Sequence, residues 1–129
     1  MTSRNLQYFS KQGDPGFACK CGKCGLGFDD MDMTTLRMLD AARNIADVAF
    51  HINSGIRCPA HNQTVSGSGP DGPHTTGKSV DVRATDSRTR YKILEAAILM
   101  GFNRIGIHRR FIHLDNDETK DPEVVWLYD

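Results

Sequence analysis

Apolar positions change their period several times along the chain, and each change marks an element. From Asp32 onward, Leu36, Leu39, Ala42 and Ile45 recur at three- and four-residue spacing, with Met38 and Ala41 beside them. This predicts an amphipathic helix through about Asp47, with Asp32 or Thr34 capping its start. Residues 48–53 alternate, with Phe50 and Ile52 on one side, as a half-buried strand does. Residues 59–77 (PAHNQTVSGSGPDGPHTTG) lose all period and are dense in Gly, Pro, Ser and Asn. They read as a loop of a length usually kept for function. Alternation returns at residues 78–84, with Val80 and Val82 on one face. Asp86 or Ser87 then caps a second helix over residues 88–100, stopped by Gly101 and burying Ile93 or Leu94, Ala97 and Ile98. Three short strands follow at 104–108, 111–115 and 124–128, the first two joined as a hairpin at Arg109 and Arg110.

The order is helix, strand, loop, strand, helix and three strands. It predicts an α+β fold, a largely antiparallel sheet backed by two helices. A chain of 129 residues is the size of one domain, so residues 1–129 are read as a single unit with a Cys-containing N-terminal segment, 1–31, of loop or knuckle character. Sixteen Lys plus Arg balance sixteen Asp plus Glu, which removes the basic field that non-specific nucleic-acid binding needs. No apolar run is long enough to span a bilayer, so neither nucleic acid nor membrane is an expected partner. The first residues lack the apolar stretch of a secretory signal, so cytoplasmic synthesis is expected. A monomer is expected.

Strand alternation decides which polar side chains can meet. If Val80, Val82, Ile105, Ile107, Ile112 and Leu114 face the helices, then Asp81, His108, His113 and Asp115 face the other way. His74 lies seven residues before Asp81, in a loop that can fold back beside it. Two imidazoles and a carboxylate with one position free make a catalytic zinc site. Separately, Cys19, Cys21 and Cys24 crowd into CKCGKC. Thiols that close cannot easily pair with one another but can wrap a metal. With Cys58 they are candidates for a second, structural zinc, and His61 is an alternate fourth ligand. Trp126 and Tyr128 read as core or sheet-edge packing.

The segments INSGIRCPAHN, GPHTTGKSVD, GFNRIGIHRRFIHLDND and VVWLY resemble the zinc D-alanyl-D-alanine carboxypeptidase-like family of peptidoglycan peptidases, in particular its short phage and prophage forms. The resemblance implies the fold shared with the Hedgehog signalling domain. It also implies His74, Asp81 and His113 as zinc ligands, and Arg57 lining the substrate cleft. The activity implied is hydrolysis of an amide in the stem peptide, by a D,D-carboxypeptidase or an endopeptidase, with holin-type release to the cell wall if phage-encoded. One departure concerns the general base. The better-known relatives carry Asp or Glu three residues before the last ligand, and some also carry a second His two before it, where this chain has Arg110 and Phe111. His108 is the favoured substitute, and Asp115 serves either as base or as a carboxylate orienting a ligand imidazole. Gly72 and Pro73 replace a serine common before the first ligand. Other uses of the fold are a non-catalytic binding module that keeps the metal, or a virion structural protein with a vestigial site.

Overall fold

The computed structural model describes residues 5–66 and 69–128; residues 1–4, 67, 68 and 129, which include part of the expected N-terminal segment and loop, lie outside the described residues. Helix α1 (Met33–Ala46) starts on Asp32, whose carboxylate accepts from the Thr35 amide at 2.9 Å and from the Thr35 hydroxyl at 3.0 Å. Asp32 satisfies one of the amides that every helix start leaves open. Asp32→Ala is therefore expected to lower stability by about 1 kcal/mol, seen as a lower urea midpoint at unchanged slope. The helix buries Leu36, Leu39, Ala42 and Ala46. Ile45, expected inside, is 46% exposed.

Strand β1 (Ile52–Ser54) begins later than the alternation suggested. The expected loop after it is partly helical: α2 (Pro59–Val65) is followed by two 3-10 turns, Gly69–Asp71 and Pro73–Thr76. The Cys58 sulfur caps α2 by accepting from the His61 amide, and Pro59 sits at its first turn, where a missing N–H costs nothing. Strand β2 (Ser79–Arg83) leads to α3 (Ser87–Leu99), capped by Asp86 through the Thr89 amide. Gly101 ends the helix with φ of 101°. Helix α3 buries Ile93, Ala96 and Ala97, whereas Ile98 faces solvent. Strands β3 (Arg104–Ile107) and β4 (Phe111–Asp115) form the hairpin, and β5 (Val124–Leu127) completes the sheet.

The sheet order is β1-β2-β4-β3-β5, antiparallel throughout except for the β3–β5 pair. This is the expected α+β architecture with a third, short helix added. Helix α1 packs on α3 and α3 on β4. Val80, Val82, Ile105, Ile112 and Leu114 fill the space beneath them at 2% exposure or less. Among the described residues, no helix is long and apolar enough to cross a membrane. The N-terminal segment joins the same core through Phe9, Phe17 and Phe28, whose rings meet edge to face at 5.7 and 5.5 Å. The Ile56 amide donates to the Phe17 carbonyl at 3.0 Å, so this segment is tied to the turn after β1.

Candidate metal centre

Register places one row of residues across the sheet face opposite the helices. Ser54 pairs with Asp81, Asp81 with His113, His113 with Gly106, and Gly106 with Trp126. Directly opposed side chains lie about 5 Å apart, so the carboxylate of β2 and the imidazole of β4 are neighbours by construction. The turn Pro73–Thr76 brings His74 onto the same spot. His74, Asp81 and His113 are all buried, and each offers a ligand atom within 4.8 Å of the others.

The imidazoles are held from behind. His74 Nδ1 is 2.7 Å from the Gly55 carbonyl; a carbonyl only accepts, so Nδ1 donates there and Nε2 is the nitrogen left to face the cluster. That Nε2 lies 3.4 Å from Asp81 Oδ1. His113 Nε2 meets Asp115 Oδ2 at 2.6 Å, and His113 Nδ1 faces the same Asp81 Oδ1 at 3.1 Å. Two imidazole nitrogens thus converge on one carboxylate oxygen. Burial alone would lower the His113 imidazole, but the carboxylates of Asp115 and Asp81 outweigh it and raise it to about 9. Burial alone would raise Asp81, yet His113 and His74 hold it well below the usual carboxylate range. A cluster that polarised either keeps an extra proton or takes up a cation. Its two nitrogens and one oxygen are the donor types of a zinc site with a free position, so the residues fit the ion.

Arg57 reaches this cluster from the turn before α2. Its Nη2 lies 3.3 Å from Asp81 Oδ2 and its Nη1 donates to Asn62 Oδ1 at 3.1 Å. The Asn62 amide in turn donates to the Gly69 carbonyl. Asp81 therefore turns one oxygen to the imidazoles and the other to the guanidinium. Asp115 is fully buried: besides His113 it meets Arg104 Nε at 2.9 Å and accepts from the Asp117 amide at 3.0 Å.

The trio lies in a cleft of about 520 Å³, whose walls include Arg57, Arg104, Phe111, Lys120, Trp126 and Tyr128. Trp126 and Tyr128, expected as packing, line this cleft instead. Trp126 leans to 5.3 Å from the His113 ring, and Gly106 is what makes room: a Cβ there would stand 2.5 Å from the indole nitrogen. His108, the favoured base, is not brought to the cleft. Strand β3 ends at Ile107, and His108 enters the hairpin turn, where Nδ1 accepts from the Arg110 amide at 3.0 Å. Its ring stacks on Phe111 at 4.5 Å and meets Tyr128 edge-on at 5.9 Å, and it is not among the residues that line the cleft. Arg104 and Asn62 escaped the sequence reading. The outward register of Arg104 beside Ile105 was a usable signal; for Asn62 there was none.

The four cysteines also meet. Cys19, Cys21, Cys24 and Cys58 each place sulfur within 4.8 Å of the others, and His61 is not part of the group.

A family model described as Peptidase M15 matches residues 8–115, from the N-terminal segment through β4. No curated protein and no solved structure matches the chain.

Proposed function

This chain belongs to the peptidase M15 family, and from that premise we propose that it hydrolyses an amide bond in the peptide stem of bacterial peptidoglycan, as a zinc-dependent D,D-carboxypeptidase or stem endopeptidase. The observation that carries the reading is the buried His74–Asp81–His113 cluster at a cleft, with each imidazole anchored through its far nitrogen. In this reading His74, Asp81 and His113 hold the metal. Bound zinc supplies a Lewis acid for the scissile carbonyl and a water acidic enough to act near neutral pH. The Gly55 carbonyl and the Asp115 carboxylate fix the ligand tautomers. Arg57 spends one donor on Asn62 and one on Asp81. Its remaining donors suit a stem carboxylate or a developing oxyanion. Phe111, Trp126 and Tyr128 form an apolar wall for the stem's methyl-bearing residues. A phage setting, with release to the wall through a holin, belongs to the same proposal.

His108→Ala is expected to leave kcat within about twofold of the parent, because the imidazole does not line the cleft and its Nδ1 is taken by the Arg110 amide. A loss of more than about 100-fold at full zinc occupancy would restore it as the proton carrier.

A second reading has one observation in its favour. Among the described residues, the carboxylates lining the cleft are Asp81 and Asp115, and both are already engaged. A non-catalytic module that grips the stem peptide would look the same. Purified muropeptides incubated with protein, with and without chelator, separate the two. Chelator-sensitive release of D-Ala or of cut stems is expected. Intact substrate across pH 5–9, with zinc bound, would sink the hydrolase and leave the binding module.

A further inference from the structure

Residues 18–27 form an excursion between two core phenylalanines, Phe17 and Phe28, and none of the ten is buried. Such a segment has no apolar anchor of its own; Leu26 alone among them is partly packed on the core. It is nevertheless ordered into a defined shape. The Cys19 amide donates to the Leu26 carbonyl at 2.9 Å, and the chain turns through Gly22 and Gly25, with φ of 76° and 71°. Something other than hydrophobic burial must hold it, and four sulfurs stand where a cross-link would be.

We propose that Cys19, Cys21, Cys24 and Cys58 bind a second, structural zinc ion that staples this excursion to the turn carrying Arg57. Three observations support it. First, spacing: tetrahedral zinc with Zn–S bonds of about 2.3 Å sets sulfurs roughly 3.8 Å apart. Cys19 and Cys58 sulfurs lie 3.9 Å apart, too far for a disulfide at about 2.05 Å. Second, backbone amides point at every sulfur. Cys21 accepts from the Lys23 and Cys24 amides at 3.3 Å each. Cys24 accepts from Leu26, Cys19 from Cys58 and Cys58 from His61, all at 3.4 Å. Such donors would spread the charge of thiolates once a metal is bound. Third, placement: the Lys20 ammonium donates to the Asn53 carbonyl and Cys58 follows Arg57 directly. The cluster therefore bridges residues 18–27 to β1 and α2. A four-thiolate set selects zinc over hard cations, and its binding free energy would replace the missing core. The site stands apart from the hydrolase reading and does not need it.

The test is metal content of the full chain, with cobalt as a spectroscopic substitute. The wild type is expected to hold about two zinc ions, and His113→Ala about one. Cobalt-loaded His113→Ala should keep the intense sulfur-to-cobalt charge-transfer bands. Cys21→Ser/Cys24→Ser should lose those bands and one metal. Should that double variant fail to fold, thiol titration of the wild type serves. Four thiols should be shielded from an aromatic disulfide reagent in the loaded protein and all four should react after chelation. The proposal is overturned if loaded wild type shows four freely reactive thiols, if Cys19 and Cys58 are found as a disulfide, or if His113→Ala holds no metal. A wild type with one zinc that survives His113→Ala would uphold the thiolate site and sink the catalytic one instead.

Discussion

His113→Ala is expected to remove hydrolysis almost completely, by roughly 10³-fold or more in kcat/KM, together with one bound metal. The size follows from what the metal supplies: several kcal/mol of charge stabilisation at the carbonyl, each 1.36 kcal/mol being about tenfold in rate. The imidazole is central to the cluster, with Asp81 on one nitrogen and Asp115 on the other. Its loss strips a ligand and also releases both carboxylates from their shared partner. The fold should survive, because Arg57 still faces Asp81 at 3.3 Å and Arg104 still faces Asp115 at 2.9 Å. Circular dichroism and the urea midpoint check that point, and inductively coupled plasma analysis counts the metal. Hydrolysis above about a tenth of the parent rate, with the metal gone, would mean that the cleft does not use the ion.

Much of this site was legible from two-residue alternation. Once Val80, Val82, Ile112 and Leu114 are assigned to the core, Asp81, His113 and Asp115 must share the opposite face, and there the structure puts them. Alternation says nothing about strand order, however. That β4 lies between β2 and β3, and that β5 joins parallel at the edge, depends on long-range pairing. The wall built from Trp126 and Tyr128 was therefore out of reach, although Gly106 on the row beside His113 was a trace of it. Alternation also misleads where a strand stops. An outward-facing His108 follows from alternation only if β3 runs one residue past Ile107, where it ends; the turn amide of Arg110 takes its nitrogen instead. Helix α2 was hidden by composition, since Gly, Pro and Asn around it outvoted Pro59 at the first turn. Its cap is a cysteine, a residue type that ordinary capping preferences do not flag. Ile45 and Ile98 extended apolar stripes beyond the arc that α1 and α3 bury.

Asp115→Ala is expected to damage both the fold and the metal centre, and Asp115→Asn separates the two effects. The carboxylate is fully buried and meets the His113 Nε2, the Arg104 Nε and the Asp117 amide. Truncation leaves the guanidinium of Arg104, 13% exposed, without its counter-charge. Breaking a buried pair in this way costs about 3–5 kcal/mol, to be read from urea unfolding of the metal-free protein. The imidazole also loses the acceptor that sets its tautomer, which lowers metal affinity by about 10–100-fold. Asparagine keeps the shape and an oxygen for His113, so it should recover part of the stability while affinity, measured by competition with a chromophoric chelator, stays reduced by about tenfold. These numbers decide what Asp115 does. If Asp115→Asn keeps wild-type metal affinity but loses kcat by more than about 10²-fold, the carboxylate carries the proton itself and is not an orienting group. If both variants bind metal as the parent does and turn over normally, Asp115 only braces the sheet through Arg104.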